Sequence, residues 1–335
     1  MKKFKYLGII LVCLFVISLL GCNTDTAGTS DESPESSIEG AVDYPTKPIE
    51  LYCPSGAGGG SDIFARTVAN VIAENDLCPQ PIVVINKEGG SGTIGYSFVS
   101  EQKGDPYVLS ITNSSFYAVP LAGQSPVSYK DFQHISLMCQ DPLFVVANSK
   151  SDYKTFEELL NYAKENPGEI TAAGTSTQGE DALSFYAIKN SAGIDIDYIP
   201  FDGSGEVITA LLGGHVDIAF LGPSEALVQM ESGEFIPLAT TTGTRVDDYP
   251  DLPTLIESGI DVELAQNRGL VAPLGIGEEE ISYLEDLFYK ATQTQEWKDY
   301  LKENSMIDKY RNAEQYGEES PNISGIYEEY MKFIE

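Results

Sequence analysis

IELYCPSGAGGGSDIFARTVANVI, residues 49–72, is the stretch whose reading decides the fold. Residues 49–53, apolar and β-prone but for Glu50, predict a strand. Residues 54–61 carry Pro, Ser and five Gly or Ala, the chemistry of a connecting loop. Ile63, Phe64, Val68, Val71 and Ile72 then recur at helical spacing and predict one apolar helix face, with Ser61 as its expected N-cap. A strand, a glycine-rich loop and an amphipathic helix together make the unit of α/β architecture.

Working outward, the same plan recurs. A strand at 82–85 leads through Asn86-Lys87-Glu88-Gly89-Gly90-Ser91-Gly92 to a helix opening near Thr93, and a third strand covers 107–112. Around 139–146 the chain is expected to cross into a second domain, where Thr155-Phe156-Glu157-Glu158 offers a capping box for a helix that Pro167-Gly168 ends. A strand at 170–173, the loop 174–179 and a helix over 181–190 follow. A further strand at 197–200 meets Phe201-Asp202-Gly203-Ser204-Gly205, a helix at 206–212 stops at Gly213-Gly214, and a strand at 217–221 runs into Gly222-Pro223-Ser224. After Asp261 the chain should return to the first domain through a strand at 269–273 and finish in two polar, Tyr-rich helices. The expected division is 44–142 with 267–335 as the first lobe and 143–266 as the second. Two crossovers predict a two-segment hinge with a ligand cleft between the lobes.

The first residues carry a different message. Lys2, Lys3 and Lys5 precede an unbroken apolar run over 6–20, which reads as an export signal too short to span a bilayer as a permanent helix. The run closes on Leu19-Leu20-Gly21-Cys22, which resembles a lipobox; in such signals the cysteine is acylated and becomes the first residue of the mature protein, so Cys22 is the expected membrane anchor and 1–21 the signal peptide. Residues 22–43, rich in Ser, Thr, Gly, Asp and Glu, predict a flexible tether. The expected location is extracytoplasmic and lipid-anchored.

With 20 Lys and Arg against 51 Asp and Glu, the formal charge is −31, and removing the leader's lysines makes it more negative. That excludes nucleic acid as a partner. It also requires that an anionic ligand be held by strong local donors against an unfavourable global field. Beyond the leader, Cys53, Cys78 and Cys139 make an odd set, expected as buried thiols, with a Cys78–Cys139 bridge the alternative.

In open α/β sheets ligands sit beyond the carboxyl ends of the strands, where loop amides and helix N-termini converge. Glycine there removes the Cβ that would hold a ligand away from the backbone. Gly and Ser in such loops are also ordinary turn chemistry, so the loops weigh together rather than singly. Gly56-Ala57-Gly58-Gly59-Gly60 lacks the last glycine of a dinucleotide fingerprint, Ser61 standing in its place, and there is no phosphate-binding Gly-Lys-Ser/Thr loop. Ser224 lacks the following glycine of a nucleophile elbow, the two histidines sit in no catalytic motif, and no Cys-x-x-Cys, His-x-His or His-Glu-x-x-His occurs. No enzyme, cofactor or metal is expected.

The combined motifs Pro54, Gly58-Gly59-x-Ser61-Asp62-Ile63-x-Ala65-Arg66, Asn86-Lys87-x-Gly89-Gly90-x-Gly92-x-Ile94-Gly95, Tyr198-x-Pro200-Phe201-x-Gly203-Ser204-Gly205, 210–217 and Leu252-Pro253-Thr254-Leu255-x-Glu257-x-Gly259 resemble the tripartite tricarboxylate transporter receptor family, the TctC or Bug proteins, from about Tyr44 to the C-terminus. The resemblance implies a periplasmic-binding-protein type II fold. It also implies capture of a small tri- or dicarboxylate through backbone amides and bridging waters, and delivery by a monomeric receptor to a large and a small membrane subunit.

Carried onto matching positions, it gives Ser55, Gly58, Gly59, Ser61 and Asp62 in the first loop and Gly90, Ser91, Gly92 and Thr93 in the second. The other lobe contributes Thr175, Ser176, Thr177 and Asp181, then Phe201, Gly203, Ser204 and Gly205, then Pro223 and Ser224. Ser55 departs from the pattern, because the family often has an aromatic residue there. Asp62 has a plainer reading as a helix-dipole carboxylate paired with Arg66 one turn on. His215 reads as a helix-end cap, and His134 has no evident partner in the sequence. A sensory receptor of the same fold that reports to a membrane kinase is the alternative function, and a secreted hydrolase the weaker one.

Overall fold

The first strand forms where the sequence places it, at Ile49–Cys53 (β1), because its apolar residues are buried on both faces. The computed structural model describes residues 44–333 apart from 176, 178 and 202; the export signal, Cys22 and the tether lie outside the described residues. Helix α1 (Gly60–Glu74) follows β1, and β2 (Ile82–Asn86), α2 (Thr93–Glu101), β3 (Val108–Thr112) and α3 (Ser114–Leu121) repeat the unit. After β4 (Phe132–Asp141), β5 (Phe144–Asn148) and α4 (Phe156–Glu165), a second series runs β6 (Thr171–Gly174), α5 (Glu180–Ala192), β7 (Asp197–Pro200), α6 (Ser204–Leu212), β8 (Ile218–Leu221), α7 (Pro223–Glu231) and β9 (Phe235–Thr240). The chain closes with β10 (Gln266–Pro273), α8 (Glu278–Gln293), α9 (Gln295–Glu303), β11 (Ile307–Arg311) and α10 (Ala313–Met331).

The strands make two sheets, ordered β11-β4-β10-β3-β1-β2 and β7-β6-β8-β5-β9. In the first, β1 lies parallel to β2 and β3 while β10 runs antiparallel between β3 and β4. In the second, β6 lies parallel to β7 and β8 while β5 runs antiparallel between β8 and β9. The two sheets therefore share one plan, three parallel βα strands beside an antiparallel strand delivered by a crossover. Only Pro142 and Leu143 separate β4 from β5. The return segment is tied to them: the Thr241 N–H donates to Leu143 O at 2.9 Å, and the Leu264 N–H to Thr241 O at 2.9 Å. Helix α10 packs against both α3 and α5 and so touches both halves.

Burial follows the predicted apolar faces with one exception. Phe64, Val68, Val71 and Ile72 pack with Ile49, Leu51 and the fully buried Trp297, but Ile63 is 50 % exposed. The N-cap is Gly59, two residues before the expected Ser61, because the chain already turns helical at Gly60. The returning strand starts at Gln266, earlier than its apolar run, since its pairing with β4 carries it through Asn267 and Arg268. In place of two terminal helices there are three and a strand. The break between α8 and α9 is made by Thr294, whose hydroxyl caps α9, and carries no Gly or Pro signal. Cys53, Cys78 and Cys139 are free thiols, Cys53 and Cys139 buried and Cys78 half-buried, so the bridge alternative is not realised. His134 does find partners: its Nε2 lies 2.8 Å from Ser320 Oγ and its ring meets the Tyr316 ring edge-on.

Candidate functional site

Five helices begin where strands β1, β2, β6, β7 and β8 end, and each has glycine at its N-cap: Gly59, Gly92, Gly179, Gly203 and Gly222. At α1, α2, α5 and α6 that residue supplies no capping side chain. At α1 and at Ser204 and Gly205 of α6 the first amides have no carbonyl one turn back to accept them and remain donors at the positive end of the helix dipole. At α2, in contrast, the Thr93 and Ile94 N–H groups donate back to Gly90 O and Gly89 O, and at α5 the Ala182 N–H donates to the Asp181 carboxylate. Gly92 shows why the residue type is fixed: its φ is 93°, and a Cβ there would lie 3.3 Å from the Pro54 carbonyl oxygen.

These ends frame a cleft of about 940 Å³ between the two sheets, near the upper end of the range for small-molecule sites. Of the predicted residues, Gly58, Gly59, Ser61 and Ser91 line it from the first sheet's side. Thr175, Thr177, Asp181, Phe201, Ser204 and Ser224 line it from the second. Gly90, Gly92, Thr93, Gly203, Gly205 and Pro223 sit in the same turns but outside the lining. Ser55 lies behind the wall, its carbonyl accepting from Asn86 Nδ2 at 3.0 Å. Ser176 falls outside the described residues.

Asp62 is buried behind the first loop and is not among the cleft-lining residues. Its oxygens accept from Arg66 Nε at 3.0 Å, the Gly58 N–H at 2.8 Å and Asn86 Nδ2 at 2.8 Å, which makes it the clamp of the first loop. The Arg66 bond, with the Gly58 N–H and the Asn86 amide, holds the carboxyl down to about 2 against the opposing effect of burial. Other carboxylates also consume loop amides. Asp181 accepts from the Thr175 N–H and, at 2.8 Å, from the Ala182 N–H, and Glu225 accepts from the Gly222 N–H at 2.8 Å.

Several lining residues escape the sequence reading. Ser114 and Ser115 follow β3 on the same strand-loop-helix plan, a signal that was present. Glu180, buried at the start of α5, accepts from the Ser114 and Tyr327 hydroxyls and so joins α3, α5 and α10; burial pushes its carboxyl up. Gln266 Nε2 donates to Ser114 Oγ at 2.7 Å. Asp141 and Arg268 form an ion pair in the cleft wall, and Arg268 is the one cationic side chain among the described lining residues. A lone arginine at the head of an apolar strand was its sequence signal.

The family model described as "Tripartite tricarboxylate transporter family receptor" matches residues 64–320. A UPF0065 protein of Cupriavidus necator is 30 % identical over 278 residues, covering 82 % of this chain and 84 % of its own length. The crystal structure of a TctC solute binding protein from Polaromonas superposes with a TM-score of 0.77 at 27 % identity, over 86 % of this chain and 99 % of that one. An R. palustris protein solved with adipate superposes with a TM-score of 0.75 at 23 % identity, over 87 % and 98 %.

Proposed function

Because this chain belongs to the tripartite tricarboxylate transporter receptor family, we propose that it captures a small tri- or dicarboxylate in the cleft and delivers it to a two-subunit membrane transporter. The family and fold are those of substrate-binding receptors, not of enzymes. The observation that carries the reading is the convergence of four helix N-termini with glycine as the N-cap residue on one cleft beside a hydrogen-bonded double crossover. A carboxylate in such a cup accepts charge-assisted bonds of about 1.5–3 kcal/mol each, which offsets the repulsion of an acidic exterior. The adipate bound by the R. palustris neighbour supports a carboxylate as the ligand class.

The finer parts belong to the same proposal. Residues 44–142 with 267–335 act as one lobe and 143–266 as the other, closing about the paired crossovers. The ligand contacts come from the five loops after β1, β2, β6, β7 and β8. Cys22 anchors the receptor to the outer face of the cell membrane as a monomeric lipoprotein.

A thermal-shift screen against small organic acids tests the central claim. A true ligand at a hundred times its Kd stabilises by about 2.7 kcal/mol, a rise of several degrees in Tm. A panel of mono-, di- and tricarboxylates that leaves Tm unmoved would remove the carboxylate assignment. Cys22→Ala should release the protein from the membrane fraction; retention there would count against the anchor.

A further inference from the structure

We infer that Arg268 is a specificity-determining residue, and that one carboxylate of a diacid ligand displaces Asp141 from its guanidinium. The inference deepens the carboxylate-receptor reading and rests on it. Arg268 is 4 % exposed and its guanidinium lies over the Phe64 ring; Nη2 donates to Asp141, while Nε and Nη1 are buried with no hydrogen-bond partner. A structural ion pair retained in a protein interior normally has its remaining donors satisfied. This one does not, and it lines a cleft.

Its neighbour sharpens the point. A Cβ at Gly60, the first residue of α1, would lie 3.1 Å from Nη2, so the guanidinium sits against an uncapped helix N-terminus. A full positive charge and the roughly half charge of a helix end thus face one carboxylate, Asp141, whose side chain is 20 % exposed. Arg268 is the one cation among the described lining residues, which also include Glu180, Asp181 and Glu225, and its ion-pair partner lies at the end of β4, beside the crossover. Asp141 holds the place that a ligand carboxylate takes. Arginine then offers that group a forked pair of N–H donors, a recognition geometry it shares with no other side chain. The second carboxylate rests on the backbone donors of the loops. The cleft therefore selects acids with two carboxylates over acids of equal length with one.

The test uses titration calorimetry on the purified protein with adipate, succinate and citrate, and with hexanoate and butyrate as the single-carboxylate counterparts. Arg268→Gln should weaken the tightest-binding diacid or citrate at least about tenfold and leave its monocarboxylate counterpart within about twofold. Asp141→Asn should lower the Tm of the unliganded protein and strengthen diacid binding severalfold, because it removes the competitor; a merely structural pair predicts weaker or unchanged binding. Should Arg268→Gln not fold, Gly60→Ala, at a helical position that accepts alanine, displaces the guanidinium instead and should weaken the diacid selectively. Equal losses for both acid classes, or weaker or unchanged diacid binding in Asp141→Asn, would overturn the assignment while leaving the receptor reading in place. Absence of binding by any of these acids to the unaltered protein would overturn both.

Discussion

Helices α1, α2, α5 and α6, which open towards the cleft, begin differently from α4, α9 and α10. Helices α3 and α7 also reach the cleft but are capped, α3 by Asn113 Oδ1 accepting from the Ser115 N–H at 3.1 Å and α7 by Glu225 accepting from the Gly222 N–H at 2.8 Å. At α4, Thr155 Oγ1 accepts from the Glu158 N–H at 3.2 Å while the Glu158 carboxylate accepts from the Thr155 N–H. At α10, Asn312 and Gln315 do the same, and Thr294 caps α9. At α1, α2, α5 and α6 the N-cap residue is glycine and supplies no capping side chain, although at α5 Asp181 accepts from the Ala182 N–H. Glycine at an N-cap costs only a few tenths of a kcal/mol relative to Ser, Thr, Asn or Asp, whereas alanine costs about 1 kcal/mol. It is therefore the least destabilising way to leave a helix end open to a ligand. Helix α8, with Gly277 at its cap, is an exception away from the cleft, and Glu278, Glu279 and Glu280 supply the negative charge its first turn needs.

The largest effect should come from reversing that difference. Gly59→Asp and Gly203→Asp place a carboxylate where the ligand's would go; both backbones are extended at these positions, and a Cβ at either meets nothing closer than 3.7 Å. Each should raise stability by a few tenths of a kcal/mol while weakening carboxylate binding about a hundredfold or more, the worth of one or two charge-assisted bonds. Calorimetry and thermal melts on the same sample read both. Binding that survives both substitutions would show that the open helix ends are not the recognition element.

A smaller effect is expected at Asp62, which clamps the loop from behind. Asp62→Ala leaves the Gly58 N–H and the Asn86 amide without their acceptor and should cost about 1–3 kcal/mol of stability. The charge has a pH signature. Because the folded carboxyl is held at about 2, below its usual 3.8, its contribution is fully present above the unfolded value and is lost as pH falls from about 4 towards 2. Asp62→Asn should flatten that part of the stability curve. An unchanged acid limb would mean that Arg66 and Asn86 do not hold the charge.

What the sequence made legible follows the same division. The βα units at β1, β2, β6, β7 and β8 could be read because strand, glycine turn and helix face are local signals. Strands β4, β5, β9 and β11 could not, because their pairing is long-range. In β4 the run Phe132–Asp141 is almost wholly buried although it includes His134, Ser136 and Gln140, so neither alternation nor an apolar run marks it. The loop amides of the cleft were legible as Gly and Ser. The fate of individual donors was not, since whether Asp181 or Glu225 turns back onto its own loop depends on backbone geometry that residue types leave open. Arg268 was missed for a related reason: it stands one residue before the apolar run at 269–273, and only pairing with β4 draws it into the strand and the cleft wall.

The smallest effect sharpens the comparison most, because it asks whether an open helix end suffices to make a site. Thr155→Gly would start α4 as the cleft helices start, and should cost only a few tenths of a kcal/mol, against about 1 kcal/mol for Thr155→Ala. Urea denaturation of the two variants side by side resolves that ordering. Neither should alter carboxylate affinity, and Thr155→Gly should gain no second binding event in calorimetry. A single exposed N-terminus offers an anion a few solvated donors, whose attraction is screened by water and salt. The cleft, in contrast, sets several such ends around one volume between the two sheets. A new carboxylate site at Thr155→Gly would mean that open caps bind alone, and that the enclosure provided by the two sheets is dispensable.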